Sequence, residues 1–208
     1  LVPRPKGSWR WLDTQTVIFE PEASELPRAT TYTIRVSAQI SDLQGRKPAA
    51  PISRSLTLSP PNIIASTLGT KNVGLEPLLT VKFDQPVVRE SVLSKAYLQT
   101  TGGRIPIREI SAEEAEAKHT GIKQQVKSAR QDTIFLLTPS QPLTPGADYT
   151  LVVAPGVKSQ EGPQRMEQAF HATFSTYQPL KLLPPKPNDL RGPRDALYLG
   201  FNNDIDQS

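Results

Sequence analysis

The sequence offers few side chains that could carry out catalysis. Its 208 residues include no cysteine and two histidines. Without cysteine, no thiol nucleophile, thiolate metal site or disulfide can form. His119 lies in a charged stretch and is expected to be solvated, whereas His171 alternates with Phe170 and Ala172, which predicts an outward-facing strand position. No G-x-S-x-G nucleophile elbow accompanies them, so neither histidine is assigned a catalytic or metal-binding role.

Three carboxylates are close together in the sequence at Glu113, Glu114 and Glu116. Paired carboxylates act as acid and base when they face each other across a cleft. Neighbours on one helix point in different directions instead. The pattern therefore indicates the solvated start of a helix, and no catalytic residue is predicted here.

A second polar group could supply oxygen ligands to Ca²⁺. It consists of Asn202, Asn203, Asp204 and Asp206. It lacks the glycine and the terminal glutamate of an EF-hand loop. We interpret it as the polar exit of a strand, and the sequence predicts no metal site and no cofactor.

Trp9 and Trp11 share one face of a strand if side chains alternate there, and core packing is the expected role. An exposed pair could instead bind carbohydrate or a partner. Arg4, Lys6 and Arg10 nearby form too short a basic patch for a nucleic-acid interface. The net charge of +4 is scattered along the chain, so no nucleic-acid partner is expected.

No apolar stretch reaches the roughly 18 residues of a membrane helix, so no direct membrane span is predicted. This segment shows no signal-peptide pattern, which places any export signal outside it. An exported chain without disulfides is more typical of a bacterial envelope than of an animal secretion. The expected location is extracytoplasmic, in the periplasm, at the cell surface or in the medium.

The chain repeats itself. Residues 26–36 (LPRATTYTIRV) resemble residues 143–153 (LTPGADYTLVV), and Tyr32 and Tyr149 are 117 residues apart. Residues 79–87 (LTVKFDQPV) resemble residues 197–205 (LYLGFNNDI) at an offset of 118. Two independent pairs with nearly the same period indicate tandem modules.

That period predicts three units. Residues 1–60 are the C-terminal part of one module, residues 61–177 are a complete module, and residues 178–208 begin a third. Proline-rich stretches mark the boundaries, and such joints are stiff, so we expect a rod-like array whose modules are held apart.

Apolar residues alternate with polar ones in several short runs, such as Leu79, Val81 and Phe83. This period of two predicts antiparallel strands with one buried face. The predicted fold is all-β, made of tandem antiparallel immunoglobulin-like β-sandwich modules. Helix is expected only at 111–129, where Ser111 to Glu114 matches a capping box and Thr120 and Gly121 interrupt the pattern.

Several of these motifs resemble a known family. Trp9 and Trp11, the Phe19 to Pro21 turn, the run at 31–36 and the closing Phe174-Ser175-Thr176 triplet are similar to the bacterial Ig-like module of surface-layer proteins and bacterial alpha-2-macroglobulins. Residues 179–182 and 199–206 resemble the entry into the next, macroglobulin-like module. The complete module departs from the pattern, since it has no W-x-W pair, and the first module closes on SLTL at 55–58.

The resemblance implies a non-enzymatic scaffold that positions the bait region and thioester of a protease-trapping inhibitor. The thioester itself needs a cysteine, which this chain lacks. Proteases would be partners only through the parent protein. Two alternatives remain open: a cell-surface adhesive or ligand-binding array, and an accessory module of a secreted polysaccharide enzyme.

The predicted partners are the adjacent modules of the same polypeptide. The incomplete modules at the two ends should also expose unpaired strand edges and apolar side chains, including Trp9, Tyr32 and Ile34 at one end and Leu197, Leu199 and Phe201 at the other. Open edges recruit strands. Strand-swapped association between two copies is therefore expected, either as a swapped dimer or as an open head-to-tail chain.

Overall fold

The computed structural model describes residues 1–67, 71–184, 199–203 and 205. Its strands are β1 (Gly7–Trp11), β2 (Val17–Pro21), β3 (Thr31–Val36), β4 (Ile52–Thr57), β5 (Ile63–Thr67), β6 (Leu79–Phe83), β7 (Ala96–Thr100), β8 (Gly103–Glu109), β9 (Ile134–Pro139), β10 (Asp148–Val153) and β11 (Phe170–Ser175). Its helices are α1 (Arg89–Leu93), α2 (Ala112–Lys118) and α3 (Ile122–Ser128). We call residues 1–60 the N-terminal segment, 61–177 the central sandwich and 178–208 the C-terminal segment.

The central sandwich is built on one strand that belongs to two sheets. Strands β5 to β11 pair antiparallel in the order β11-β10-β7-β8-β9-β6-β5. The first part of β8, up to Pro106, pairs with β7, and the part from Ile107 onward pairs with β9. Pro106 has no amide hydrogen to donate and lies where the partner changes. The result is two four-stranded sheets that share β8.

Side chains from both sheets form one core between them. Leu79, Val81 and Phe83 on β6 are almost fully buried, as the alternation predicts. They pack with residues of β7, β9, β10 and β11, and Phe83 meets Phe135 edge-to-face with ring centroids 5.7 Å apart. This arrangement confirms the predicted all-β antiparallel sandwich.

A helical pair, α2 and α3, covers the outer face of the β8-β9-β6-β5 sheet. Ala115 and Ile122 of this pair form a second small cluster with Leu78, Ile110 and Leu136, which belong to the sheet and its adjoining residues. The helix prediction for 111–129 is confirmed: Ser111 caps α2 by accepting the Glu114 amide hydrogen at 3.1 Å. Gly121 separates the two helices with a φ of 92°. Residues that carry a Cβ rarely adopt this backbone conformation, so glycine suits the position.

The expectation that helix is confined to 111–129 is wrong. The five-residue helix α1 connects β6 in one sheet to β7 in the other, and its Val92 is buried in the core. No capping residue marks its start, because the side chain of Val88 at the N-cap has no atom that could accept a hydrogen bond. The helix is a single turn fixed by packing.

The N-terminal segment forms two hairpins that reproduce half of the central sandwich. β3 and β4 start 117 and 118 residues before β10 and β11 and have the same lengths. Their registers also agree, since Tyr32 lies opposite Leu56 as Tyr149 lies opposite Phe174. The β1–β2 hairpin corresponds in the same way to β8–β9, with Gly7 opposite Pro21 as Ile107 is opposite Pro139.

The expected core role of Trp9 and Trp11 is wrong for this chain. Their side chains are 48% and 69% exposed, although Trp9 packs edge-to-face on Phe19 with centroids 5.2 Å apart. In the central sandwich, β5, β6 and β7 complete the core opposite the corresponding face. No described strand covers this face in the N-terminal segment, and the apolar side chains stay in solvent.

Tyr32 was expected to be exposed but is buried. The chain at residues 3–5 lies beside its ring, and Val2 forms a bridge with Thr33 on the free edge of β3. The start of the chain therefore takes part of the place that β7 occupies in the central sandwich. Among the described residues, no helix is long and apolar enough to cross a membrane.

Candidate functional site: the junctions of the central sandwich

The two histidines lie on different elements and are both exposed. His119 ends α2, and His171 lies on β11 opposite Val152. Within the described residues, no three histidine, aspartate or glutamate side chains come together as a metal site would require. The geometry places both imidazoles at the surface, as the alternation around His171 and the charge around His119 predict.

The carboxylates of α2 have structural partners. Glu114 pairs with Arg108, with Oε1 2.7 Å from the guanidinium. Glu116 accepts the backbone N–H groups of Gly121 at 2.7 Å and Lys123 at 2.8 Å, so it caps the first turn of α3. The hydrogen bond from the Lys123 amide and, to a smaller extent, that from the Gly121 amide hold the pKa of Glu116 below its ordinary value of 4.5. Glu114 and Glu116 thus fasten the helical pair.

We expect Glu116→Ala to loosen the α2–α3 turn. The pKa of Glu116 is lower in the folded state than in the unfolded state. The stabilisation that this carboxylate provides is therefore present above its ordinary pKa, and it is lost as the pH falls through the folded-state pKa. At neutral pH the Gly121 and Lys123 amides should exchange with solvent about fivefold faster in the variant. Hydrogen exchange measured by NMR, with Glu113→Ala as the matched control on the same helix, checks this. Equal protection in wild type and variant at neutral pH would contradict it.

Asn202 and Asn203 hold the chain where it leaves the central sandwich. The side-chain oxygen Oδ1 of Asn202 accepts the Lys181 amide hydrogen at 2.6 Å, and the side-chain nitrogen Nδ2 donates to the Pro179 carbonyl at 2.9 Å. Asn203 donates to the Gln178 carbonyl at 2.5 Å. Asp204 and Asp206, the other members of the polar group, lie outside the described residues, as does Leu197 of the predicted exposed set. The two asparagines are thus part of a junction with the preceding chain.

The same device occurs 118 residues earlier. Asp84 Oδ1 accepts the Asn62 amide hydrogen at 2.9 Å, and Gln85 Nε2 donates to the Ser59 carbonyl at 3.1 Å. Gln85 is fully buried, and its Oε1 accepts the Ser159 hydroxyl at 2.9 Å. A buried amide whose two ends are both hydrogen-bonded is a strong and specific contact. The side chains of residues 84–85 and 202–203 therefore bind the backbone of the connecting segment at two successive junctions.

The turn that enters each hairpin is also repeated. Ala29 and Gly146 both have positive φ, and their amides donate to Ser59 and Tyr177, respectively, at 3.0 and 2.8 Å. A tyrosine hydroxyl ties each following strand to this turn, Tyr32 through the Pro27 carbonyl at 3.1 Å and Tyr149 through the Thr144 amide at 3.0 Å. The turns before β3 and before β10 thus have the same backbone conformation at Ala29 and Gly146.

The loop between β10 and β11 is hydrogen-bonded to the turn of the N-terminal segment at residues 28–31. Glu161 accepts the Arg28 amide hydrogen at 2.8 Å and also pairs with Arg130 at 2.7 Å. The Gln164 amide donates to the Ala29 carbonyl at 3.0 Å, and its side chain donates to Thr31 at 3.1 Å. The N-terminal segment and the central sandwich are therefore in direct contact.

Gly162 lies at the closest approach. A Cβ at this position would collide with Thr30 Oγ1 and with the carbonyl oxygens of Ala29 and Arg28. The expectation that modules are held apart by stiff prolines is therefore wrong at this junction, because polar contacts lock the two units together. The repeat at 84–85 and 202–203 was visible in the sequence, but its role was not.

A cleft of about 870 Å³ separates the loop before β6 from the α2–α3 turn. Its lining combines apolar side chains with His119 and Gln125. Lys118 spans the seam by donating to the Glu76 carbonyl at 3.1 Å. The cleft is thus the border between the helical pair and the sheet it covers.

Comparison with known proteins identifies the central unit. The family model of the bacterial Ig-like domain matches residues 57–176. The circularly permutated Ras protein 2 of Dictyostelium discoideum is 28% identical over 171 residues, which are 77% of this chain and 4% of that protein. The crystal structure of the S-layer protein rSbsC(31-844) has a TM-score of 0.37 and 14% identity, and it covers 60% of this chain and 15% of its own.

The N-terminal part of the S-layer protein SbsC gives a similar result, with a TM-score of 0.34 and 13% identity over 60% of this chain and 26% of that one. This chain therefore spans only a small part of each relative. The family match covers more than half of the residues and coincides with the sandwich described above. The chain belongs to the bacterial Ig-like domain family.

Proposed function

We propose that this chain is a scaffold of tandem Ig-like modules, without catalysis of its own, in an extracytoplasmic bacterial alpha-2-macroglobulin-like protein that traps proteases. The observation that carries the proposal is the repeated junction. Two buried or partly buried polar pairs, at 84–85 and 202–203, each hold the chain that enters the next unit. A junction that recurs at the period of the module suits a protein that fixes the spacing of its parts.

The module boundaries follow from the same repeat and belong to this proposal. Residues 1–60 are the C-terminal part of one Ig-like module, 61–177 are a complete module, and 178–208 begin the next. The correspondence of β1–β4 with β8–β11 supports the first boundary. The bridge between Leu182 and Phe201, which repeats the pairing of Ile63 with Phe83, supports the last.

The role within the parent is mechanical. The resemblance to alpha-2-macroglobulins implies a bait region and a thioester elsewhere in the parent, which these modules would position. The junction made by Glu161, Gln164 and the close contact of Gly162 resists bending because every one of these contacts includes a backbone group of the N-terminal segment. Such a chain would fix the spacing of distant parts without contributing reactive groups.

The parent protein is the right object for the test. After incubation with a broad-specificity protease, it should abolish cleavage of a large protein substrate and leave cleavage of a short peptide intact, because a cage admits only small substrates. The isolated 208-residue chain is the control, and we expect it to hydrolyse neither peptides nor esters and to form no covalent protease complex. Unchanged cleavage of both substrates by the protease, with the parent retained on the cell surface, would favour an adhesive array instead.

A further inference from the structure

The cleft between the loop before β6 and the α2–α3 turn belongs to the central sandwich alone. The described residues that line it all fall between Lys71 and Gln125. One of its walls is the helical pair, which the N-terminal segment lacks, since residues 12–16 join β1 to β2 where residues 110–133 join β8 to β9. The repeated strands therefore form without this wall, and the cleft distinguishes the complete module.

The side chain of Thr80 lies at the base of this cleft without a hydrogen-bond partner. Thr80 alternates with Leu79 and Val81, which enter the core, so its side chain lies on the outer face of β6, and the residue is 3% exposed. Its hydroxyl has no partner among the described residues. Buried hydroxyls in folded proteins nearly always make a hydrogen bond. Because Thr80 borders a cleft, a bound molecule can supply the missing acceptor.

The rest of the lining is apolar at the base and carries positive charge at the rim. Leu78 and Ile122 are buried there and belong to the second small cluster. At the rim, Lys118 is paired with Glu76, with 3.5 Å between Nζ and Oε2. Lys71 is exposed and forms no ion pair within the described part of the chain, so its charge is uncompensated. The volume of about 870 Å³ lies in the range of known ligand sites.

We propose that the cleft binds the C-terminal end of a peptide whose last residues are apolar. Such an end supplies a carbonyl oxygen, apolar side chains and a carboxylate within a short length. The Thr80 hydroxyl donates to the carbonyl oxygen, and the apolar side chains pack on Leu78 and Ile122. The carboxylate lies at the solvated rim, where Lys71 attracts it, so no unpaired charge is buried. This binding does not depend on the scaffold role proposed above.

NMR titration of the full 208-residue chain with the peptide acetyl-alanyl-leucyl-leucine tests the proposal. We expect saturable shifts at Leu78, Thr80 and Ile122, with a dissociation constant on the order of 1 mM for so few contacts. Thr80→Val keeps the shape of the side chain and removes the hydroxyl, so it should weaken binding about fivefold.

Thr138→Val is the matched control for this substitution. Thr138 on β9 is 1% exposed and also lacks a hydrogen-bond partner among the described residues, but it is not part of the described lining. Each valine removes an unpartnered hydroxyl, so neither variant should lose stability, and Thr138→Val should bind as wild type does. Equal binding by wild type and Thr80→Val would overturn the proposal. The absence of saturable shifts up to about 10 mM peptide would also overturn it.

The same peptide with a C-terminal amide separates the charge from the apolar contacts. Wild type should bind this amide about threefold more weakly than the acid, as expected for an exposed charge pair. Lys71→Gln should remove the preference for the acid, whereas Lys127→Gln, on α3 but outside the described lining, should keep it. Equal affinity of wild type for acid and amide would indicate a nonspecific apolar contact and would contradict the proposed site.

Discussion

Replacing Gly162 by alanine will release the N-terminal segment from the central sandwich while leaving the sandwich folded. The added methyl carbon meets Thr30 Oγ1 and two backbone carbonyl oxygens at distances that no relaxed structure tolerates. Backbone cannot yield as a flexible side chain does, so either the β10–β11 loop or the turn at residues 28–30 must move. Overpacking of this kind costs about 1–3 kcal/mol. The contacts at the junction are the ones that will be lost.

Hydrogen exchange locates the effect. The Gln164 amide, bonded to Ala29, and the Arg28 amide, bonded to Glu161, should lose protection in Gly162→Ala. Amides of β6 and β9 should keep theirs, and small-angle scattering should report a longer, more flexible particle. Gly102→Ala is the matched control, because a Cβ there meets no atom within 4 Å. If both alanine variants retain equal protection at Gln164, the junction is not locked as described.

The fold was predictable from the sequence where contacts are local or repeated. Alternation at Leu79, Val81 and Phe83 fixed which face is buried, and the capping box at Ser111 marked the start of α2. The period of 117 to 118 residues predicted that the N-terminal segment copies β10 and β11. In each case, the signal lies within a few residues or within a comparison of the chain with itself.

The junction was not predictable in the same way. Gly162 has to be small because Thr30, more than a hundred residues away, lies against it. Gln85 follows β6, and its burial depends on contacts with Ser59 and Ser159, which are distant in the sequence. The passage of β8 from one sheet to the other depends on pairing partners rather than on its own alternation. Long-range contacts of this kind leave no periodic trace in a single sequence.

The exposed side chains of Trp9 and Trp11 also show what alternation in a sequence does not predict. Alternation correctly placed Trp9 and Trp11 on one face of β1, together with Phe19. Whether such a face is buried depends on the strands that pack against it. Among the described residues, no strand packs against this face of β1 and β2. A pattern can therefore assign a face to an element without establishing that the face is buried.

Phe135→Ala should destabilise the central sandwich by about 3–5 kcal/mol, the usual cost of removing a fully buried aromatic ring. Phe135 has no exposed surface, lies 5.7 Å from the Phe83 ring centroid and carries the Arg89 guanidinium 5.5 Å above its own. Its removal leaves a cavity that neither sheet can close, because both are tied through β8. Urea unfolding followed by far-UV circular dichroism measures the loss as a lower midpoint with an unchanged slope.

Trp11→Ala is the informative comparison, because it removes a larger aromatic side chain of which 69% is exposed. At protein concentrations low enough to keep the chain monomeric, we expect a change within about 0.5 kcal/mol, as for surface positions in general. The difference between the two variants reflects burial rather than residue size. A loss from Trp11→Ala as large as that from Phe135→Ala would mean that the tryptophan face is packed in solution. The description of β1 and β2 as an uncovered hairpin would then be wrong.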